Sequence, residues 1–370
     1  MISAIKVLPS TVSRIECAKL ELKKNSLIEA PKIYIVTSLT DQDNMINIDN
    51  SSIQATQNTI MPTAIFLYSA GIHLTDATLI ANYIHSLALN AQQNGTTTIR
   101  ALQISCKGDL KASIHNPILS SYKLYNSTSS HFNVSQVMGL HVTDPPSPSD
   151  FFEFAGRLSS DYTLILMARS RVSLETGSQI IGSRVGVFAD RVEILSGAAI
   201  SSNAQGCKGG AGFSAGLKDD QFASSCGGSG GSHGGIGGIG LSSEPNKESN
   251  CQKMKTYPYG NPSNPILEGS GGSSNTSKCY GGSGGGVVII GAYSLTIDGK
   301  VTSNGQEGVL QPGVGNVVNE CGGGSGGSIQ IHSLNRFIGN GNISAKGGNS
   351  VGYGGAGNCY NLQSRTNLWK

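Results

Sequence analysis

Residues 207–286 constrain this chain more than any other stretch. They contain the runs Cys226-Gly-Gly-Ser-Gly-Gly-Ser-His-Gly-Gly-Ile-Gly-Gly-Ile-Gly240 and Cys279-Tyr-Gly-Gly-Ser-Gly-Gly-Gly286. Glycine loses more conformational freedom on folding than any other residue, so such runs read at first as flexible tether. Yet four cysteines, at 207, 226, 251 and 279, stand inside the stretch at irregular intervals, which a passive tether does not need. The strand-like run Val287-Val-Ile-Ile290 follows directly. The stretch is therefore read as an ordered, cysteine-stapled insertion carried on a β scaffold.

Composition narrows the setting. Glycine supplies 51 of 370 residues, while charged side chains are only 13%, against about a quarter in ordinary globular proteins. A surface made wet by hydroxyls and amides suits a β-rich extracellular protein. The 26 basic and 23 acidic side chains form no block, which argues against nucleic acid as a partner. No apolar run approaches the roughly 18 residues of a membrane-spanning helix, so no membrane insertion is expected.

The eight cysteines, Cys17, Cys106, Cys207, Cys226, Cys251, Cys279, Cys321 and Cys359, include no C-x-x-C pair. Disulfides are the expectation rather than a zinc site, and they imply an oxidising compartment. The six from Cys207 to Cys359 are expected to pair among themselves, which leaves Cys17 and Cys106 to each other by elimination. Six N-x-S/T sequons, at Asn50, Asn94, Asn126, Asn133, Asn275 and Asn342, are candidate N-glycan sites. The opening residues lack a basic segment followed by an apolar one, so a secretion signal is expected upstream, in a longer precursor.

Short apolar runs with period two recur from the start: Ala18-Lys-Leu-Glu-Leu22, Lys32-Ile-Tyr-Ile-Val36, Ala64-Ile-Phe-Leu-Tyr68, Ile72-His-Leu74, Thr98-Ile-Arg-Ala-Leu-Gln-Ile104 and Tyr122-Lys-Leu-Tyr125. Residues 76–91 admit either a helix or a strand. Asp144-Pro-Pro-Ser-Pro-Ser-Asp150 can continue neither a helix nor a central strand. It divides the chain into a β-rich region at 1–143, a Pro-rich linker or loop at 144–150 and a glycine-rich domain at 151–370. The first region reads either as further coils or as a separate β domain.

A repeat runs through the second region. Arg171-Val-Ser-Leu-Glu-Thr-Gly177 returns 20 residues on as Arg191-Val-Glu-Ile-Leu-Ser-Gly197. The pattern of residues 185–206 is echoed at 287–305 and 328–347. A unit of about 20 residues holding two or three short strands has the size of one coil of a parallel β-helix. One coil cannot cover its own apolar face, so coils must stack. The expected fold is all-β, a right-handed parallel β-helix or solenoid-like stack with long glycine-rich, disulfide-stapled loops.

The order of glycine-rich elements adds a resemblance. Ser202-Asn-Ala-Gln-Gly-Cys-Lys-Gly-Gly210, the run around His233, Tyr259-Gly-Asn-Pro262, Glu268-Gly-Ser-Gly-Gly-Ser273 and the run ending at Ile331 carry it. Together, over residues 163–359, they resemble the glycine-rich repeat region of very large secreted or surface proteins of plants and protists. The resemblance implies a β-solenoid-like surface protein with no assigned catalysis.

Candidate chemistry is sparse. G-x-S-x-G occurs around Ser229, Ser232, Ser283 and Ser325, but strands follow Ser283 and Ser325 where a nucleophile elbow needs a helix. The calcium-binding pattern G-G-x-G-x-D fails because residues 227–240 contain no aspartate. Asp219-Asp220 and His233 are the nearest to metal ligands, and His233 is expected to pack against glycine backbone. A polysaccharide lyase or hydrolase would need clustered acids on adjacent coils. Glu175, Asp190-Arg191 and Glu193 come closest. No catalytic, cofactor or metal site is assigned. The expected function is non-enzymatic: a secreted, N-glycosylated subunit that self-associates head to tail into a surface filament, coat or wall. Carbohydrate binding or processing is the alternative, with extracellular polysaccharide as partner.

Overall fold

A computed structural model describes residues 4–6, 12–38, 45–55, 62–101, 147–151, 153, 162–217, 226–241, 251, 253, 255–262, 264–274, 279–310, 321–350 and 363–366. The fold is nearly all β, built as two long parallel sheets to which the chain returns alternately. One sheet has nine short strands: β1 (Ala4–Lys6), β4 (Leu27–Glu29), β7 (Ser52–Gln54), β9 (Thr78–Ala81), β11 (Thr98–Ala101), β13 (Gln179–Ile181), β15 (Ala199–Ser201), β18 (Lys300–Thr302) and β21 (Asn342–Ser344), in that order. The other has longer strands: β2 (Val12–Glu16), β5 (Lys32–Val36), β8 (Ala64–Thr75), β10 (Tyr83–Asn94), β12 (Leu164–Leu174), β14 (Arg184–Ile194), β17 (Val287–Ile297), β20 (Ser328–Ile338) and β22 (Gln363–Thr366). The pair β3 (Leu20–Leu22) and β6 (Met45–Asp49) extends it beside β8, whose first half pairs with β5 and second half with β6.

The repeat exists because identical side-chain classes stack in register. In the short sheet Ile28, Ile53, Leu79, Ile99, Ile180, Ile200 and Val301 lie directly above one another, all buried. In the long sheet the matching column is Ile33, Ile65, Ile84, Leu164, Val185, Val288 and Ile329. Each such side chain contributes roughly 1.5–3 kcal/mol by leaving water. The strand period of two puts them all on the inner face, and a one-residue slip would expose the column.

The residues that close each repeat in sequence are the turn residues. Asn50, Asp76, Gly95, Gly177 and Gly197 have positive φ, and each stands two or three residues before a short strand. Glycine and Asx residues tolerate that left-handed conformation best, which explains the Thr-Gly and Ser-Gly signatures at 176–177 and 196–197. The turns also stack, since the Gly177 amide donates to the Gly197 carbonyl at 3.2 Å.

Two readings that the sequence left open are narrowed here. The Pro-rich segment is not a boundary between the sheets. β10 pairs directly with β12 over nine residue pairs, so residues before 102 and after 163 belong to the same two sheets. The parallel stack makes its contacts vertically, between chain turns, and so tolerates an excursion of any length between two neighbouring strands. Residues 76–91, open between helix and strand, form β9 and most of β10.

Part of the excursion returns to cover the outer face of the long sheet. Ser147 accepts from the Asp150 amide at 3.2 Å while Asp150 Oδ2 accepts from the Ser147 amide at 3.1 Å, a reciprocal cap on a short helical turn. That turn places Phe151, fully buried, beside Tyr68. Tyr162 packs edge-on against Phe188 with ring centres 6.3 Å apart. Together with Ile266 they form a second apolar layer over Phe66, Tyr68, Leu87, Ile165, Met167 and Ile289. No helix among the described residues is long and apolar enough to cross a membrane.

Candidate functional site: a glycine-rich module beside the sheets

The glycine runs are neither helix nor strand, yet their backbones are hydrogen-bonded with a period of three. Gly272 and Gly269 donate to the carbonyls of Gly282 and Gly285, at 2.9 and 2.8 Å. Gly282 and Gly285 in turn donate to Gly322 and Ser325, at 3.0 and 2.9 Å. Gly322 and Ser325 close the ring by donating to Ser273 and Ser270, at 3.2 and 2.9 Å. Three runs, 269–274, 281–286 and 322–327, thus form a triangular bundle in which each run donates to the next. The step of three on every edge is that of an extended threefold helix, which has no internal hydrogen bonds and must find partners outside itself. The order of partners makes the second and third of these runs parallel and the first antiparallel to both.

Glycine is required here for space rather than for φ. None of the positive-φ glycines among the described residues lies in these three runs. A Cβ on Gly282 would stand 1.8 Å from the Gln306 carbonyl oxygen, and one on Gly272 would stand 2.1 Å from that of Gly322. Serine occupies positions where its hydroxyl meets a polar group. Ser273 Oγ accepts from the Gly322 amide at 3.0 Å, Ser229 Oγ accepts from Leu217 at 2.8 Å, and Ser325 Oγ donates to the Ser270 carbonyl at 3.2 Å. Ser229, Ser232, Ser270, Ser273, Ser325 and Ser328 are all buried. In the G-x-S-x-G positions, then, Ser229 and Ser325 turn their hydroxyls to the backbone, and Ser232 meets Thr256 Oγ1 at 2.5 Å.

Four polar side chains, three of them buried and Tyr259 partly so, join the module to itself and to the sheet. His233 is fully buried, with Nδ1 2.9 Å from the Gly326 carbonyl, so Nδ1 carries the proton in the neutral ring. Desolvation pushes its pKa down to about 4, the Gly326 hydrogen bond opposing this more weakly. The ring lies 4.8 Å from that of Tyr259, whose hydroxyl donates to the Glu268 carbonyl at 2.5 Å and accepts from Ser270 at 2.9 Å. Burial raises the Tyr259 pKa, which keeps the hydroxyl protonated and donating. The Glu268 side chain in turn meets Arg184 of β14, nitrogen to oxygen, at 2.5 Å. His233 therefore meets glycine backbone, but that of the distant run 322–327 rather than of its own loop, and its ring packs beside Tyr259. Tyr259 and Glu268 stood out in the sequence only as parts of glycine-rich motifs, and Arg184 did not stand out at all. An arginine standing directly before the apolar run Val185-Gly-Val-Phe-Ala189 is the signal that could have found it.

The cysteines stand at the heads of the runs. Cys226, just before 227–232, pairs with Cys251, and Cys279 pairs with Cys321 at the start of two parallel runs. Cys207 is also disulfide-bonded. Closing loops of 25 and 42 residues is worth roughly 3–4 kcal/mol per bond in the chain-entropy picture. Cys106 and Cys359 lie outside the described residues. Cys17 departs from expectation. It is a free, half-buried thiol packed against the core between the sheets, where it acts as a small apolar side chain, so the expected Cys17–Cys106 bond is not formed.

The remaining site residues fall as follows. Asn50 is exposed in its left-handed turn and Asn342 is exposed on β21. Asn94 ends β10. Asn126, Asn133, Asn275 and the Asp219-Asp220 pair lie outside the described residues. The candidate acids take separate partners: Glu193 accepts from Arg171 Nε at 2.6 Å and Glu175 from Gln92 at 3.0 Å. Among the described residues no three His, Cys, Asp or Glu side chains gather as metal ligands. Comparison with known protein families, with curated proteins and with solved structures gives no match.

Proposed function

We propose that this chain is an extracellular structural protein, a right-handed parallel β-helix bearing a disulfide-stapled glycine-rich module, and a self-assembling subunit of a glycosylated surface filament, coat or wall. The observation that carries this reading is the continuous parallel strand order of the two sheets, from β1 to β21 and from β2 to β22, interrupted only by local register shifts in β10–β12, β12–β14 and β17–β20. Among the described residues the inner strands pair on both sides, whereas outermost strands such as β1, β2, β21 and β22 have one neighbour each. An edge at one end fits the opposite edge of a second copy, a head-to-tail contact that propagates. Right-handedness follows from the strong preference of crossovers between parallel strands. The disulfides are compatible with an oxidising, extracellular setting, and the exposed sequons at Asn50 and Asn342 with N-glycosylation. The glycine-rich order resembling large surface proteins of plants and protists agrees with the same reading.

Electron microscopy of native material, with mass measurement before and after deglycosylation, tests it. Filaments or end-to-end oligomers are expected. Dispersed single subunits that persist at high concentration would overturn the assembly.

Carbohydrate binding is the second reading, favoured by three exposed aromatic rings on the module, Phe213, Tyr257 and Tyr280, of which Tyr257 is the most exposed at 72%. Such rings offer an apolar face next to polar backbone. Retention on insoluble polysaccharide that is lost in F213A/Y257A would favour it.

A further inference from the structure

We infer that the glycine-rich module is a separate unit of stability that exists only while its disulfides are closed, so that reduction opens it and leaves the two sheets standing. The two parts are held together by different forces. The sheets rest on continuous apolar columns, and the core they form draws its buried side chains almost wholly from the strands and their turns. Among the described residues the module has no comparable core: apart from Ile266 at its border with the sheet, its apolar cluster is Cys226, Cys251 and Ile239. It is held by backbone hydrogen bonds between glycine runs, each of small net value in water. Ordering glycine costs more conformational entropy than ordering any other residue. Those two quantities nearly cancel, so the constraint that decides the outcome is the loop closure imposed by Cys226–Cys251 and Cys279–Cys321. Their position supports this. Cys279 and Cys321 lie at the N-terminal ends of the two parallel runs whose amides and carbonyls meet at Gly282–Gly322 and Gly285–Ser325. Among the described residues no disulfide ties β8, β10, β12 or β14.

The chemistry is thiol–disulfide exchange with a dithiol reductant. One thiolate attacks a sulfur of the protein disulfide, the S–S bond breaks and a mixed disulfide forms. The second thiol of the reductant then displaces the protein sulfur. The protein gains two thiols, and the reductant loses two electrons and becomes a cyclic disulfide. Cys279, Cys321 and Cys251 are 0%, 1% and 1% exposed, so attack waits on local opening of the module, which is the event proposed.

Hydrogen exchange read by mass spectrometry on the whole chain tests this, with and without dithiothreitol, alongside the oxidised Cys279→Ala/Cys321→Ala variant. On reduction, peptides from 269–286 and 321–327 should exchange at least about tenfold faster, while peptides from 64–94 and 164–194 change less than about threefold. The variant should show the same contrast without added reductant, which guards against aggregation of the reduced protein. Loss of protection in both regions together, or in neither, overturns the inference.

Discussion

Arg184 Nη2 lies 2.5 Å from Glu268 Oε1, and the two side chains are only 1% and 7% exposed. One stands at the start of β14 and the other directly before the glycine run 269–274, so a buried charge pair ties the module to the sheet. Removing one partner leaves the other charge buried and uncompensated. Arg184→Met or Glu268→Gln is therefore expected to cost roughly 3–5 kcal/mol, whereas the double change Arg184→Met/Glu268→Leu should recover most of the loss. Urea denaturation of the three variants measures this. A double variant as unstable as the singles would show that the pair is not acting as a unit.

Glycine positions in the bundle and beside it should separate sharply by space. Gly282→Ala drives a Cβ to 1.8 Å from a backbone oxygen held by its own neighbours, and should cost about 3 kcal/mol or more, at or above the usual range for overpacking. Gly210→Ala meets nothing closer than 3.7 Å but keeps a φ of +76°, so it should cost only about 1–2 kcal/mol. Thermal or urea midpoints rank the two. Equal effects would mean that the runs are not closely packed.

Acid should weaken the module through His233. Above pH 6.5 the imidazole is neutral in both folded and unfolded chain, and no penalty exists. Below 6.5 the unfolded chain takes up a proton that the buried ring, with its pKa near 4, refuses. Stability therefore falls as pH drops from 6.5 to about 4, by as much as about 3 kcal/mol, and levels off below. His233→Gln should flatten this part of the pH profile, since its amide can still donate to Gly326. His73, whose pKa burial also lowers, keeps its share in both proteins, so the difference between the profiles isolates His233.

Cys17 should be the one alkylated position among Cys17, Cys207, Cys226, Cys251, Cys279 and Cys321 when unreduced protein is denatured and labelled. In native protein its reaction should be slow, because burial raises the thiol pKa and reduces the thiolate that reacts. Peptide mapping reads both. An unlabelled Cys17 in denatured, unreduced material would restore its pairing with another cysteine.

Much of the strand architecture was legible in the chain itself. The alternation of Lys32–Val36 is β5 residue for residue, and the recurrence of Arg171–Gly177 at Arg191–Gly197 is the register of β12 on β14, Arg171 opposite Arg191 and Val172 opposite Val192. Both are local or nearest-neighbour properties. A strand must alternate to have one wet face and one dry one, and a stacked turn must repeat its neighbour's pattern to continue the apolar column. Gly177 and Gly197 end the same repeat, but their left-handed conformation is a finding of the structure.

What tertiary structure alone decided concerns contacts with no sequence period. Nothing local in Asp144–Asp150 reveals that β10 and β12 are adjacent, because the pairing is made by residues on either side of the excursion. Nothing in Gly-Gly-Ser-Gly-Gly distinguishes a tether from a threefold helix, since the difference lies in whether other runs come close enough to accept its amides. Cys17 is a free thiol packed against the core, and nothing in its local sequence sets it apart from the paired cysteines. Arg184 and Glu268, 84 positions apart, meet only because the module folds back on β14. Sequence determines the repeating element through short-range sterics and burial, whereas the partners of an aperiodic insertion are chosen by the free energy of the whole assembled chain.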